Sequence, residues 1–217
     1  MTGEVRSVFT DTRHGDLMVR TDPSVLAARR AAIVDRPWSW LRQVHGARIV
    51  TVTHPGEHAG AEADAAVTAA PGCALVVRTA DCAPVWFDGG RVVGIAHAGW
   101  KGLEAGVLEA TVDALRALGA PSVRATLGPC IHVGCYEFGA TELDRLVARY
   151  GDGVRGTSGA GHPALDLPAA VGAALDPLGV ELDSAPSSCT ACGDRRFSSY
   201  RARAEASRQA SFAWLDA

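Results

Sequence analysis

The stretch over residues 73–103, CALVVRTADCAPVWFDGGRVVGIAHAGWKGL, restricts the fold more than any other part of the chain. It holds two extended apolar runs, residues 74–78 and 92–96, and each is followed by a side chain able to ligate a metal. Cys82 follows the first run, in Ala80-Asp81-Cys82, and His97 follows the second, in Ala96-His97-Ala98-Gly99-Trp100. Between them Asp88-Gly89-Gly90-Arg91 is a strong hairpin signal, because glycine reaches the positive φ that two-residue hairpin turns require. A turn centred between Gly89 and Gly90 sets Asp88 against Arg91 and, in the same register, Cys82 directly opposite His97. Opposed side chains share a face with Cβ atoms about 4.5–5.5 Å apart, which suits two ligands on one small cation. Pro84 opposes that register, since proline cannot donate to a ladder and often marks an edge or a bulge. A one-residue bulge there would move the two side chains apart.

At 217 residues the chain is expected to form a single domain spanning residues 1–217. With 47% hydrophobic and 21% charged residues, it has apolar material for a substantial core. A formal charge of −3 argues against nucleic acid or an anionic membrane as the main partner. No apolar run approaches the roughly 20 residues of a membrane span. The opening MTGEVRSVFTDTRHGD lacks the basic and apolar regions of a secretory signal, so a cytoplasmic location is expected. In that setting the six cysteines read as free thiols.

Residues 4–9 read as a short strand. Asp22-Pro23 opens a helix over residues 24–34, with Asp22 as N-cap and Pro23 in the first helical position. Residues 48–53 read as a strand and 54–61 as a loop. After Gly102, the residues Leu103, Val107, Leu108, Val112, Leu115 and Leu118 form one apolar stripe at helical spacing, with Gly119 just past its end. Residues 123–127 are a strand candidate, and Thr141 is read as the N-cap of a helix over 142–150. The glycine-rich run 151–161 is expected to be a loop, residues 166–178 a third helical stretch and 197–200 a strand. The strands cluster as hairpins instead of alternating with helices, which favours an α+β fold over a doubly wound sheet.

One cysteine and one histidine leave a metal site short of ligands. Most other histidines (His14, His54, His58, His132 and His162) sit in loop segments. His45 differs: it lies just before a strand, in Gln43-Val44-His45-Gly46, where Gly46 permits close approach of the backbone. A His45/Cys82/His97 set offers zinc two imidazoles and one thiolate. Three protein ligands leave a fourth position for water or substrate, the pattern of a catalytic site. The plainer reading makes both histidines satisfied loop residues and Cys82 a small buried hydrophobe.

Cys189 and Cys192 form a C-x-x-C, which needs a second pair to make a structural zinc site. Cys130 and Cys135 are spaced too loosely for a recognised knuckle, and the strand-to-helix context of a redox dithiol is missing after Cys192. Gly99-Trp100-Lys101-Gly102 lies between a strand and the best helix. Its N–H groups, the helix dipole and Lys101 could receive an anion, although it is equally a tight turn with an exposed lysine. Trp100 could pack in the core or form a wall for a planar substrate.

The motifs QVHG, ADAAVT, TADCAP and AHAGWKG occur in that order, within LRQVHGARIV, EADAAVT, PGCALVVRTADCAPVWF and VGIAHAGWKGLEAGVLEATV. LGPCIHVGCYEFG, LDL and CTACGDRRFSSYRAR follow. In these stretches, which cover most of the chain from Leu41 onward, the sequence resembles the YfiH/laccase-domain family of purine nucleoside phosphorylases, once described as multicopper polyphenol oxidases. The resemblance implies two packed β-sheets flanked by helices, an α/β/β/α-like sandwich. It also implies that His45, Cys82 and His97 bind a catalytic metal, zinc or alternatively copper.

The activity implied is phosphorolysis of adenosine, inosine and methylthioadenosine, with hydrolytic deamination of adenosine as a companion. The partners are then a purine nucleoside and phosphate. Lys101, Arg13 and Arg29 are the candidates for phosphate, and Gln43 is grouped with them as a substrate-binding candidate. The chain departs from the family pattern at Phe9–Asp16, which has an extra residue and lacks a second glycine, and at Ala28-Arg29, where Asn-Arg is common. The alternative enzyme class is a cysteine hydrolase or amidase editing a cell-wall precursor, with Cys82 as nucleophile and His97 or His45 as base. A copper polyphenol oxidase is weaker, because three N/S ligands do not make the several copper centres that oxygen reduction needs.

Overall fold

The computed structural model describes residues 4–18, 20–193 and 195–216. Strand β1 (Val5–Phe9) leads to helix α1 (Pro23–Ile33), where the Asp22 carboxylate accepts from the N–H groups of Ser24 and Val25 and Pro23 occupies the first turn. Next come β2 (Trp38–Arg42), β3 (Ile49–Thr51), β4 (Ala61–Glu62), β5 (Ala65–Thr68), β6 (Ala74–Thr79), β7 (Ala83–Asp88) and β8 (Val93–Ala98). Helices α2 (Trp100–Ala105) and α3 (Val107–Ala117) follow, then β9 (Arg124–Leu127), α4 (Ala140–Tyr150), β10 (Arg155–Thr157) and β11 (Pro163–Leu165). The chain closes with α5 (Leu167–Leu175), β12 (Glu181–Asp183), α6 (Tyr200–Arg203) and β13 (Gln209–Leu215).

Two mixed sheets result, ordered β1-β13-β6-β2-β4 and β12-β9-β7-β8-β5-β3, with β10 and β11 as a separate pair. Because successive side chains of a strand point to opposite faces, each sheet buries two layers. Leu75 and Val77 of β6 and Ala213 and Leu215 of β13 meet Val93 and Ile95 of β8 between the sheets. The alternate residues Ala74, Val76 and Phe212 face outward and pack with Leu26 of α1 and with Trp38. On the outer face of the other sheet, Val85, Phe87 and Ala96 lie under Leu103, Leu108, Val112 and Leu115, joined by Leu143 of α4 and Val171 of α5. The layers run helix, sheet, sheet, helix, so the α+β sandwich is the observed architecture. Burying a large aliphatic or aromatic side chain contributes about 1.5–3 kcal/mol, which makes these three layers the main source of stability.

The hairpin differs in register from its sequence reading. Residues 74–78 belong to β6 in one sheet, whereas the hairpin partner of β8 is β7 in the other. Asp88 pairs with Val93 and Pro84 with His97, and the Gly89 N–H donates to Val92 O. The tight turn is therefore Gly90-Arg91, with Gly90 at φ +79. Cys82 does not oppose His97; continued by two residues, the same register puts Gly99 across from it. A shift of two preserves side-chain parity, so both side chains still address one face. Pro84 makes no bulge. Its carbonyl accepts from the Gly128 N–H on the β9 side, so its missing donor faces the same edge and takes nothing from the β7–β8 ladder.

Other expectations change for local reasons. The stripe read as one helix after Gly102 is two, because Gly106 at φ +86 ends α2 and opens α3. Its buried face persists as Val107, Leu108, Thr111, Val112 and Leu115. Thr141 is not an N-cap: α4 starts at Ala140 behind Gly139, whose extended backbone begins the turn without a side-chain bond. The run read as a loop, 151–161, contains β10, because residues 163–165 return to pair with it. Residues 197–200 are not a strand, since Ser199 accepts from the Ala202 N–H and caps α6.

Gly106 gives a direct test of this packing. An added Cβ would sit 3.1 Å from Arg149 Nη2, on a backbone at φ +86. Gly106→Ala should lower stability by about 1–2 kcal/mol through the left-handed conformation. Urea unfolding should show a lower midpoint at unchanged slope. An unaltered midpoint would mean that the α2–α3 break can be closed without cost.

Candidate functional site

Asp64 is fully buried beside the apolar strand β5, and a carboxylate there has to be satisfied. Its Oδ2 accepts from the N–H groups of Val44 (3.2 Å) and Gly46 (2.8 Å), and its Oδ1 accepts from the His45 N–H (2.9 Å). The same Oδ1 lies 2.9 Å from His97 Nδ1, while the backbone carbonyl of Asp64 accepts the His97 N–H at 2.8 Å. One carboxylate thus folds the 44–46 turn around itself and orients the His97 ring. The turn carries His45 at φ +61, a conformation uncommon outside glycine. With Nδ1–H donated to Asp64, the Nε2 of His97 is the nitrogen left to act. Burial opposes the charge on Asp64, yet the His97 imidazole and the turn amides hold its carboxyl below the usual range.

Cys82 is delivered by a second constrained turn. Asp81 sits at φ +98, which for a residue with a Cβ carries strain of order 1–3 kcal/mol. Its side chain is anchored by the hydroxyls of Thr190 and Ser199 (both 2.7 Å) and the Arg201 N–H (2.7 Å). Cys82 Sγ then lies 3.8 Å from His45 Nε2. The rings of His45 and His97 meet edge to face at 4.7 Å, and one ligand atom from each of the three residues lies within 4.8 Å of the others. His97 is buried, Cys82 half-buried and His45 exposed, so the set opens toward solvent. Gly99 is required beside it: a Cβ there would stand 2.8 Å from His45 Cδ2 and 3.0 Å from Cys82 Sγ.

The electrostatics couple the pair. Burial by itself raises the Cys82 thiol, but the neighbouring charge of His97 and the bond to His45 reverse this and bring it to about 6. Burial likewise disfavours the His97 imidazolium, and the Cys82 thiolate and Asp64 outweigh it, pushing the imidazole up to about 9. Two nitrogens and a sulfur, one imidazole held from behind by a carboxylate, form a donor set compatible with a metal ion.

The triad borders a cavity of about 700 Å³, within the range of small-molecule sites. Trp40, Trp100, Tyr136 and Tyr200 contribute aromatic surface to it. Of the residues singled out in the sequence, Gln43 and Lys101 line this cavity, and Arg13 and Arg29 do not. Gln43 is committed to the backbone of Arg78, donating to its carbonyl (2.8 Å) and accepting from its N–H (2.9 Å). Lys101 is exposed, with Nζ 5.4 Å from the Trp100 ring centroid. The helix behind it, α2, has six residues, so the dipole expected there is small. Arg13 pairs with Asp11 at 2.7 Å, and Arg29 donates to Asp16 O at 2.7 Å.

Three residues of the site escaped the sequence reading: Asp64, Asp81 and Arg78. Arg78 lines the cavity, donates through Nη2 to Leu41 O (2.9 Å) and stacks 5.0 Å from the Trp40 ring centroid. Its Nε and Nη1 are buried without a hydrogen-bond partner among the described residues. Burial, helped by the charges of Arg30 and Arg208, lowers its guanidinium to about 10. The available signal was a charge inside an apolar run: Arg78 in ALVVRT and Asp64 in EADAAV.

The sequence profile of the family described as multi-copper polyphenol oxidoreductase laccase matches residues 11–216. The chain belongs to this family. A purine nucleoside phosphorylase of Mycobacterium tuberculosis is 36% identical over 208 residues, covering 91% of this chain and 82% of that protein. The purine nucleoside phosphorylase YfiH of Escherichia coli is 37% identical over 180 residues, 81% of this chain and 73% of its own. A crystal structure of the Neisseria meningitidis protein NMB0706 superimposes with a TM-score of 0.85 at 29% identity, covering 100% of this chain and 99% of that one.

The coupling of Cys82 to His97 is measurable in protein stripped of metal. A folded-state thiol near 6 lies below the unfolded value and an imidazole near 9 above it, so the ion pair is populated between those limits. Iodoacetamide alkylation of Cys82 should rise through a midpoint near pH 6 and, in His97→Ala, move up by two units or more toward the ordinary thiol range. A midpoint near 8.5 in the unsubstituted protein would show that the pair does not form.

Proposed function

We propose that this chain is a zinc-dependent purine nucleoside phosphorylase acting on adenosine, inosine and methylthioadenosine, with hydrolytic deamination of adenosine as a companion activity. The names of the Mycobacterium and Escherichia relatives support the reaction class. The observation that carries the reading is the Asp64-oriented set of His45, Cys82 and His97 on a cavity that is also lined by Arg78, two of whose buried donors have no partner among the described residues. Zinc held by the three residues would supply a Lewis acid on the wall of the cavity.

Phosphorolysis forms a bond from a phosphate oxygen to C1′ while the bond from C1′ to the purine nitrogen breaks, its electron pair leaving with the base. The protein has to hold the two reactants in line and stabilise charge on both. Arg78 is the phosphate seat in this reading: its guanidinium brings a positive charge and two donor nitrogens, Nε and Nη1, that no acceptor among the described residues takes. Lys101 on the cavity rim adds a point charge. Trp100, packed edge to face on Phe138 at 5.5 Å, and Tyr136 offer flat surfaces for the purine.

One observation favours a second reading, a cysteine amidase. The Cys82 thiolate beside His97 imidazolium is the ion pair that such an enzyme uses as nucleophile and acid. The multicopper oxidase chemistry in the family description needs several copper centres, whereas the other grouped donors among the described residues, Cys135, Cys189 and Cys192, are all thiols.

Metal analysis and product identification from adenosine, with and without phosphate, separate these readings. Adenine formed only with phosphate, at one zinc per triad, is the expected result. Inosine indicates deamination; neither product, with an amidase activity that alkylation of metal-free Cys82 abolishes, would transfer the site to the amidase. Cys82→Ser and His97→Ala should each lose the triad zinc and the activity together.

The phosphate seat has its own test. Arg78→Met keeps most of the aliphatic stem and removes the guanidinium. Loss of a charged hydrogen-bonded contact, about 1.5–3 kcal/mol, corresponds to a rise in phosphate KM of roughly 10- to 100-fold, with triad zinc unchanged. An unaltered phosphate KM would leave Lys101 as the anion site.

A further inference from the structure

Three cysteines converge at a second place that the nucleoside chemistry leaves unused. The Sγ atoms of Cys135, Cys189 and Cys192 lie within 4.8 Å of one another, and none is in a disulfide. Cys135 ends the 3₁₀ turn Val133–Cys135, and the other two belong to the C-x-x-C of residues 189–192. The backbone brings these segments together independently of sulfur: Cys130 bridges to Cys189, and the Thr190 N–H donates to Cys130 O at 3.0 Å. The sequence reading found no partner for the C-x-x-C because Cys135 is joined to it only by this fold.

The backbone around Cys189 favours its thiolate, while burial and the neighbouring sulfurs keep the Cys135 and Cys192 thiols protonated until a cation takes the place of their protons. The His132 N–H lies 3.4 Å from Cys189 Sγ, and the N–H groups of Ala191 and Cys192 are directed at the same sulfur. Such bonds stabilise the charged form of a sulfur ligand. Gly193, at φ +93, turns the chain back immediately after Cys192. Sulfurs bound to one zinc ion at about 2.3 Å in a tetrahedron stand roughly 3.8 Å apart, a small side-chain rotation from the spacing seen. A disulfide would use two of the sulfurs and leave the third without a role.

We propose that Cys135, Cys189 and Cys192 form a second zinc site, with three thiolates and a fourth position filled by solvent or an added ligand. Binding transfers the thiol protons to solvent as the zinc–sulfur bonds form. The site braces the catalytic cavity from behind. Thr190, inside the C-x-x-C, anchors Asp81 and so the Cys82 turn, while Arg203 grips the same loop through the carbonyls of Ala191 (3.1 Å) and Thr190 (3.3 Å). Tyr136, next to Cys135, lines the cavity.

The test uses the full-length Cys82→Ser/His97→Ala variant, so that failure of the phosphorylase reading cannot imitate failure of this one. It should retain one zinc per chain through gel filtration, and cobalt substitution should give thiolate-to-metal charge-transfer absorption in the near ultraviolet. Adding Cys192→Ser, at an exposed position, should abolish the retained zinc and the band and remove the zinc-dependent rise in melting temperature. Unchanged far-ultraviolet circular dichroism would establish that this variant folds. No retained metal, metal content indifferent to Cys192→Ser, or a disulfide among the three cysteines after reducing purification would overturn the proposal.

Discussion

The carboxylate of Asp64 is the constraint on which the candidate centre depends. Placed without exposure beside an apolar strand, it must find donors, and it finds them in the 44–46 turn and the His97 ring. Those two segments lie far apart in sequence and would otherwise have no reason to meet in a fixed relation. Satisfying one buried charge therefore fixes two of the three side chains of the set. The third comes from the opposite solution: Asp81 carries backbone strain, and the hydroxyls of Thr190 and Ser199 hold it in place. In both cases an aspartate positions its neighbour through the backbone. The residues that do the positioning are less exposed than those they position.

The sandwich supplies the rigid frame for this arrangement. His97 lies one residue before the end of β8, whose residues Val93 and Ile95 are locked between the sheets, so the imidazole inherits the precision of a packed core. Arg78 approaches from the other sheet, on the alternate face of β6, where Ala74 and Val76 pack outward. Gln43 ties these elements together by completing the main-chain bonds of Arg78 with its side-chain amide. A cavity at the end of two stacked sheets thus collects ligands from one and a cation from the other. Neither sheet alone contains the site.

How much of this the sequence disclosed follows from the range of the forces involved. Strand and helix positions were legible wherever a local pattern decided them: the Asp22-Pro23 start of α1, the apolar stripe of α3 and the glycine after it. The hairpin was legible but its register was not, because Gly89 and Gly90 allow more than one tight turn and only the ladder beyond them selects Gly90-Arg91. The shared face of Cys82 and His97 survived that error because a two-residue shift preserves parity. Residues that act over long separations were missed: Asp64 and Arg78 stood out only as charges inside apolar runs, and Asp81 is ordinary until the fold removes water from it. The same applies to Cys135, which sequence distance separates from the pair it joins.

Charge balance links the two protonation states to the kind of ion that fits. With Asp64 and Cys82 ionised and His97 protonated, the inner cluster carries two negative charges and one positive. The proton on His97 is thus an incomplete counter-charge, which accounts for the direction of both shifts: the imidazole is raised by its two anionic neighbours and the thiol lowered by its imidazolium. A divalent cation that replaces that proton brings carboxylate, thiolate and ion to neutrality and leaves His97 neutral, the form in which it can ligate. A monovalent cation would leave the cluster with the same negative excess as the proton. Around the buried Asp64 and His97, uncompensated charge is costly. The electrostatics of the residues themselves therefore favour a divalent over a monovalent ion, independently of the identity of the nitrogen and sulfur donors.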